Sequence, residues 1–148
     1  MLTKGMITGT FDLFHAGHVR LLKESRKQVD ELYIGVNQDA RVKMKKGNLR
    51  PLFPLQERLE ILHACEYVTE VMPIPYTSHI DGDSSERGIR MLIDRWSPDV
   101  WFDGAQQSAA KHAIPLSKEY RLEYRVLNCE LVHTTQIIKK ILKYEEKL

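Results

Sequence analysis

Two imidazoles, one carboxylate and two threonine hydroxyls are the side chains in this sequence best suited to chemistry on a phosphate. His15 and His18 close the stretch Gly9-Thr10-Phe11-Asp12-Leu13-Phe14-His15-Ala16-Gly17-His18. A short apolar run, Gly5-Met6-Ile7-Thr8, precedes it, and a helix-like segment from Val19 to Arg26 follows. The arrangement reads as strand, glycine-bearing loop and helix start. The first N–H groups of a helix lack partners and carry partial positive charge, so this end suits an anion. The imidazoles add side-chain donors, and Gly17 lets a ligand approach the backbone. Taken alone, His-x-x-His is equally a pair of surface residues or half of a metal site. Near the other end, His133-Thr134-Thr135 opens a last helical pattern. Its threonines are either a plain helix cap or a second anion seat.

The elements that must hold these groups alternate. Strands are expected over 4–8, 31–36, 67–74, 99–102 and 124–128. Helices are expected over 18–28, 54–65, from Asp83 or Ser84 to Trp96, 111–120 and 134–146. Leu32, Tyr33, Ile34 and Val36 form the near-continuous apolar run of a parallel strand covered on both faces. Ile89, Leu92, Ile93 and Trp96 recur at helical spacing, and Pro98 stops that helix. The helix over 111–120 is weak and broken at Pro115. Ile137, Ile138, Ile141 and Leu142 share a face of the last helix. Alternating strands and helices imply an α/β fold with a parallel sheet. Ligands of such sheets sit beyond the carboxyl ends of the strands, where the His-bearing loop falls.

Composition sets the outer bounds. The chain has 148 residues and a net charge of +2. That length suits a single domain, 1–148, burying roughly two-thirds of its unfolded surface. The modest charge argues against a dedicated nucleic-acid binder, and no apolar run reaches bilayer length. No signal-peptide pattern opens the sequence, so a cytoplasmic protein is expected. Cys65 and Cys129 form no CxxC pair and are expected to be two buried free thiols. No Cys/His cluster suggests a protein-held metal.

Gly9-Thr10-Phe11-Asp12-x-x-His15-x-Gly17-His18 after a first strand resembles the signature of the cytidylyltransferase-like nucleotidyltransferases, with every fixed position present. The resemblance implies a Rossmann-like five-stranded parallel sheet of order 3-2-1-4-5 with helices on both faces. It implies transfer of a nucleoside monophosphate from a triphosphate to an acceptor phosphate, with release of pyrophosphate. An acceptor phosphate monoester is largely dianionic near neutral pH, its second pKa being about 6. It is already a nucleophile, so the enzyme's task is positioning and charge stabilisation rather than base catalysis. By resemblance His15 and His18 contact the phosphates, His18 nearest the α-phosphorus, and Thr8, Gly9, Thr10, Phe11 and Gly17 border the nucleotide. Asp12 would repel phosphates unless it held a metal or the loop, and loop support is the favoured role. Mg²⁺ would arrive with the triphosphate. A homodimer is expected on the same ground alone.

The run Asp39-Ala40-x-Val42-Lys43-x-x-Lys46-Gly47-x-x-Arg50-Pro51 is similar to heptose-phosphate adenylyltransferase domains. It reads as a basic flap whose Lys43 and Lys46, rather than Lys45, neutralise the triphosphate. Arg58 occupies the family's helix-opening arginine, facing a phosphate, a subunit interface or a surface salt bridge. Thr134 and Thr135 match the family's hydroxyl motif, with His133 in place of its leading serine. Two departures touch the base and acceptor pockets. Asn128-Cys129-Glu130-Leu131 replaces an Arg-Thr-x-Gly, and Phe102-Asp103-Gly104-Ala105-Gln106-Gln107 keeps Gly104 in register, with Asp103 beside it. Gln106 and Gln107 either bond a base edge or are polar loop residues. Trp96 and Trp101 read as core or interface. The expected reaction is transfer of CMP, from CTP, to a polyol or sugar phosphate. ATP and the heptose-phosphate type of acceptor are the alternative. A nucleotide-binding regulator without catalysis is a reading from another class, separated by a pyrophosphate-release assay.

Overall fold

The computed structural model describes residues 1–76, 85–129 and 132–147. Five strands run in parallel: β1 (Lys4–Gly9), β2 (Glu31–Val36), β3 (Glu70–Pro73), β4 (Val100–Gly104) and β5 (Glu123–Leu127). Their spatial order is β3-β2-β1-β4-β5. The helices are α1 (Ala16–Arg26), α2 (Asp39–Lys46), α3 (Leu55–His63), α4 (Ser85–Trp96), α5 (Ala110–Tyr120) and α6 (Thr134–Glu145). This is the expected α/β Rossmann-like sheet.

Alternation along the central strands divides the core in two. Met6, Tyr33 and Trp101 face Leu92, Ile89 and Ile93 of α4 and Ala113 and Leu116 of α5. Ile7, Ile34, Val36 and Phe102 face Leu21 and Leu22 of α1 and Leu62 of α3. Helices therefore cover both faces, which is why β2 and β4 are buried almost throughout. Both tryptophans are core: Trp96 is buried and donates its Nε1–H to Glu70 Oε1 at 3.3 Å.

The elements depart from the sequence expectation in instructive places. The basic run after β2 is not a free flap, because residues 39–46 form α2. Val42 and Arg41 are buried, and Gly47, at φ 92°, ends the helix. Lys43, Lys45 and Lys46 fall in its last turn, where the dipole favours cations. Helix α1 begins two residues before the expected start, so His15 is its cap and His18 its third residue. Pro115 does not break α5. Buried His112, Ala113, Leu116 and Ser117 pin the helix on both sides of it. Cys65 and Cys129 are free but only half-buried. The expected cap at Asp83 or Ser84 lies outside the described residues, as do residues 77–82, Glu130 and Leu131. Among the described residues no helix is long and apolar enough to cross a membrane.

Candidate active site: a cationic cavity at the strand ends

A cavity of about 380 Å³ opens at the carboxyl ends of β1 and β4, within the size range of small-molecule sites. Thr8, Gly9, Thr10, Phe11, His15, Gly17 and His18 line it from the β1–α1 segment. His133, Thr134 and Thr135 line it from the start of α6, Asp103 and Gly104 from the end of β4, and Lys46 from α2. Groups more than a hundred residues apart in sequence thus share one space.

The β1–α1 loop is a strained segment with a built-in clamp. Phe11 (φ 55°) and Leu13 (φ 47°) both adopt left-handed backbone, a conformation costing about 1–3 kcal/mol per non-glycine residue. Asp12 lies between them, buried. Its carboxylate accepts from the backbone N–H of Leu52 (2.9 Å), Phe53 (2.9 Å) and Leu13 (3.1 Å) and from Arg50 Nε (3.0 Å). Burial alone would raise this carboxyl. The Phe53 and Leu52 donors and Arg50 outweigh it and hold the group below the usual aspartate value. The Asp12 carbonyl in turn accepts from the Thr134 hydroxyl at 2.8 Å, which ties the two helix starts together.

The histidines are positioned by backbone. His15 Nδ1 accepts from Gly17 N at 3.0 Å, and His18 Nδ1 accepts from His15 N at 3.2 Å. An accepting Nδ1 leaves Nε2 as the protonated nitrogen of a neutral ring, so each offers one N–H elsewhere. The rings stack with centroids 3.9 Å apart, and Phe11 and Phe14 flank His18 at 5.3 and 5.4 Å. Burial first, then the adjacent His15 and Lys46, lower the His18 pKa to about 3. Burial and His133 lower that of His15. Both are neutral donors at pH 7 before a ligand arrives. Gly17 is required by closeness: a Cβ there would stand 2.9 Å from the His15 ring and 3.0 Å from the Val132 nitrogen.

Two sequence-chosen residues lie elsewhere. Lys43 is exposed and does not reach the cavity. Once residues 39–46 are helical, Arg41 and Lys45, four apart, share the inward side, and Lys43 falls opposite. Arg58 is not at the cavity, an interface or the surface. It is fully buried beneath the loop, donating to the carbonyls of Thr10 (2.7 Å), Asn37 (2.8 Å) and Phe53 (3.0 Å) and to Asp39 Oδ1 (2.6 Å). It positions the signature loop. Its sequence signal is its phase: with Leu55 and Leu62 it occupies the inward stripe of α3.

Residues missed from sequence complete the wall. Arg41, Lys45 and Arg50 line the cavity beside Lys46, and Trp101 and His112 line it from the α5 side. Lys46 is exposed along its length. Enclosure of its ammonium end, then the nearby Arg50, lower its pKa. The carboxylates at the cavity are occupied. Asp103 accepts from Gly104 N, Ala109 N and the Tyr124 hydroxyl, each at 2.9 Å, while burial pushes its pKa up. Asp12 and Asp103 are thus each held by several donors. The remaining charge is cationic, which suits polyanions and, where donors are preorganised, the charge that develops in phosphoryl chemistry.

Comparison with known proteins agrees with this geometry. The family model described as cytidylyltransferase-like matches residues 6–146. The bifunctional protein HldE of Yersinia pestis (strain Pestoides F) is 38% identical over 140 residues, covering 92% of this chain. The chain spans only 27% of that relative's length. A lipopolysaccharide core biosynthesis protein from Thermoplasma volcanium has the same fold, with a TM-score of 0.65 at 24% identity over 90% of this chain and 100% of that one. A pantoate-β-alanine ligase from Francisella tularensis shares it more distantly, with a TM-score of 0.56 at 15% identity over 86% of this chain and 59% of that one.

Proposed function

The chain belongs to the cytidylyltransferase-like family of nucleotidyltransferases, and on that premise we propose that it transfers AMP from ATP to a sugar or polyol phosphate, releasing pyrophosphate. The observation that carries transferase chemistry is the convergence of His15, His18, Thr134 and Thr135 on one cavity with a cationic wall. Adenylyl transfer is favoured over cytidylyl transfer by the identity with HldE. The likeness of the Asp39–Pro51 run to heptose-phosphate adenylyltransferase domains points the same way. CTP is the second reading, supported by the Gly9-Thr10-Phe11-Asp12 opening.

In this reading the triphosphate lies between the starts of α1 and α6. His15 and His18 donate to the α-phosphate, and Thr134 and Thr135 hold the outer phosphates. Arg41, Lys45 and Lys46 hold the acceptor phosphate, whose oxygen attacks the α-phosphorus while pyrophosphate leaves on the opposite side. No general base is required, in keeping with imidazoles whose accepting nitrogens are already bonded. Magnesium enters bound to the triphosphate, as expected where both cavity carboxylates are occupied. The 148 residues act as one nucleotidyltransferase domain, and a homodimer belongs to the same reading.

A thermal-shift panel of the four ribonucleoside triphosphates with magnesium tests the donor. ATP should stabilise most, and selective stabilisation by CTP would reverse the assignment. Pyrophosphate release with a panel of phosphate esters tests turnover. Binding without release under every ester would leave a nucleotide-binding regulator instead.

A further inference from the structure

Three of the cavity's walls differ in chemistry. Arg41, Lys45 and Lys46 of α2 supply cations, and the starts of α1 and α6 supply imidazoles and hydroxyls. The third wall is the turn between β4 and α5, where Gly104, Gln106, Gln107 and Ser108 line the cavity. This wall offers amides and a hydroxyl, and its one formal charge is the buried Asp103 carboxylate at its root. The sheet order places it. Strand β4 lies between β1 and β5, so the turn sits between the starts of α1 and α6. Strand β1 separates it from β2 and from the cations of α2 that follow β2.

The turn is held in one shape. Asp103 accepts from the backbone N–H of Gly104 at its start, from that of Ala109 at its end, and from the Tyr124 hydroxyl of β5. The Gln107 N–H donates to the Gly104 carbonyl at 2.8 Å, and the Gln107 carbonyl accepts from the Ala110 N–H at 3.0 Å. Within this frame Gln107 has left-handed backbone, φ 51°. A non-glycine residue keeps that conformation only where its surroundings impose it, and such strain gathers at functional sites. The side chains on the turn are sorted. Ala105 is exposed and does not line the cavity, whereas Gln106 and Gln107 do. Both glutamines are exposed, so a ligand in the cavity can reach their amides.

A nucleotide has one neutral end, the base, which needs hydrogen-bonding partners rather than charge. With the outer phosphates on α6 and the acceptor phosphate on α2, the amide wall is the side left for it. The Asp103 carboxylate agrees with that direction, because it repels a phosphate from this wall. A primary amide presents a C=O beside an N–H, the complement of the N6 amine beside N7 on adenine. Hypoxanthine carries an oxygen in place of the amine. It sets two acceptors side by side, which one amide cannot pair at once. We propose that the β4–α5 turn reads the nucleobase, the side-chain amides of Gln106 and Gln107 selecting adenine by its N6 amine and N7. The proposal rests on the transferase reading above and names the residues that set its choice of nucleotide.

Binding tests it without turnover. Dissociation constants for ATP, inosine triphosphate and inorganic tripolyphosphate, each with magnesium, are measured by calorimetry on wild type and on the double variant Gln106→Met, Gln107→Met. Methionine keeps the side-chain length and removes only the amides, at exposed positions where the fold does not depend on them. Wild type should bind ATP about five- to a hundredfold more tightly than inosine triphosphate, the range for one bidentate pair. In the variant ATP should weaken by a similar factor and the two nucleotides should bind nearly alike, with tripolyphosphate unchanged. A wild type that binds the two nucleotides alike overturns the proposal. So does a variant that keeps the preference, or one that loses tripolyphosphate as strongly as ATP. Pyrophosphate release separates this from the transferase reading. An adenine preference that depends on the glutamines, without release from any ester, removes the transferase reading and leaves the base-reading turn standing. Release with a preference untouched by the variant does the reverse.

Discussion

Helices α1 and α6 both point their first turns at the cavity, yet they are held very differently. The α1 start is buried and bonded. His15 and His18 cap its backbone, and Gly17, Leu21, Leu22 and Ser25 are buried. Asp12 and Arg58 fix the loop that leads into it. Helix α6 has no buried residue. Ile137 and Ile138 are half-buried, Ile141 and Leu142 are more than half exposed at 54% and 53%, and the Thr134 hydroxyl hooks the helix to Asp12. The first wall is preorganised and the second is adjustable. Groups that must meet developing charge belong on the first, because rigid donors need no reorganisation during reaction. On the proposed reading, the groups that grip and release the outer phosphates sit on the second.

Mutations on each side can break this contrast. The largest effect is expected beneath the rigid wall. Arg58→Met removes a buried cation and leaves three carbonyls without their donor, so a loss of about 3–5 kcal/mol is expected in urea unfolding. A loss under 1 kcal/mol would mean the loop is held by Asp12 alone. Next comes His18→Ala, which should lower kcat about a hundredfold or more while triphosphate affinity stays close to wild type and stability falls by only about 1 kcal/mol, the cost of one lost cap. An unchanged kcat would take His18 out of the reaction. On the adjustable wall, Thr134→Val should cost about 1 kcal/mol of triphosphate binding, seen as a several-fold rise in KM for ATP with kcat nearly kept. An equal fall in kcat would show that α6 is as preorganised as α1.

The smallest effect is in the pH dependence of stability. His18 has a folded pKa of about 3 against 6.5 unfolded, and His15 shifts the same way. Between those values the unfolded chain binds more protons than the folded one. Stability is therefore free of this penalty above pH 6.5 and falls as pH drops toward 3. His18→Asn should flatten the decline between pH 6.5 and 4 in a thermal-melt series. An unaltered profile would place the acid sensitivity elsewhere.

Much of the rigid wall is legible in the sequence, because its information is local. The signature packs a strand end, a turn and a helix start into a few residues, and each type has a backbone reason to be there. Strands β2 and β4 are legible for the same kind of reason, as short apolar runs. The sheet order is not. It rested on resemblance, since no local pattern says which strand lies beside which. Helix α2 was missed because Asp39-Ala40-Arg41-Val42-Lys43-Met44-Lys45-Lys46 has the composition of a solvated loop, with only Arg41 and Val42 buried. Read as a loop, it has no phase, and so the resemblance alone ranked Lys43 above Lys45. Arg58 was misplaced because a buried arginine contradicts the rule that charge stays outside. Four partners from three segments lift that rule, and they meet only in the folded chain. Trp101 was read as core, and it is.

The two amides that Leu52 and Phe53 donate to Asp12 bear on a different kind of observation. They belong to the segment between α2 and α3, yet their acceptor sits in the β1–α1 loop some forty positions earlier. Their exchange with deuterated solvent therefore reports whether the signature turn is assembled, without any substrate present. Slow exchange at these two positions, lost together when the turn opens, would make them a built-in gauge of how often the empty enzyme is ready to work.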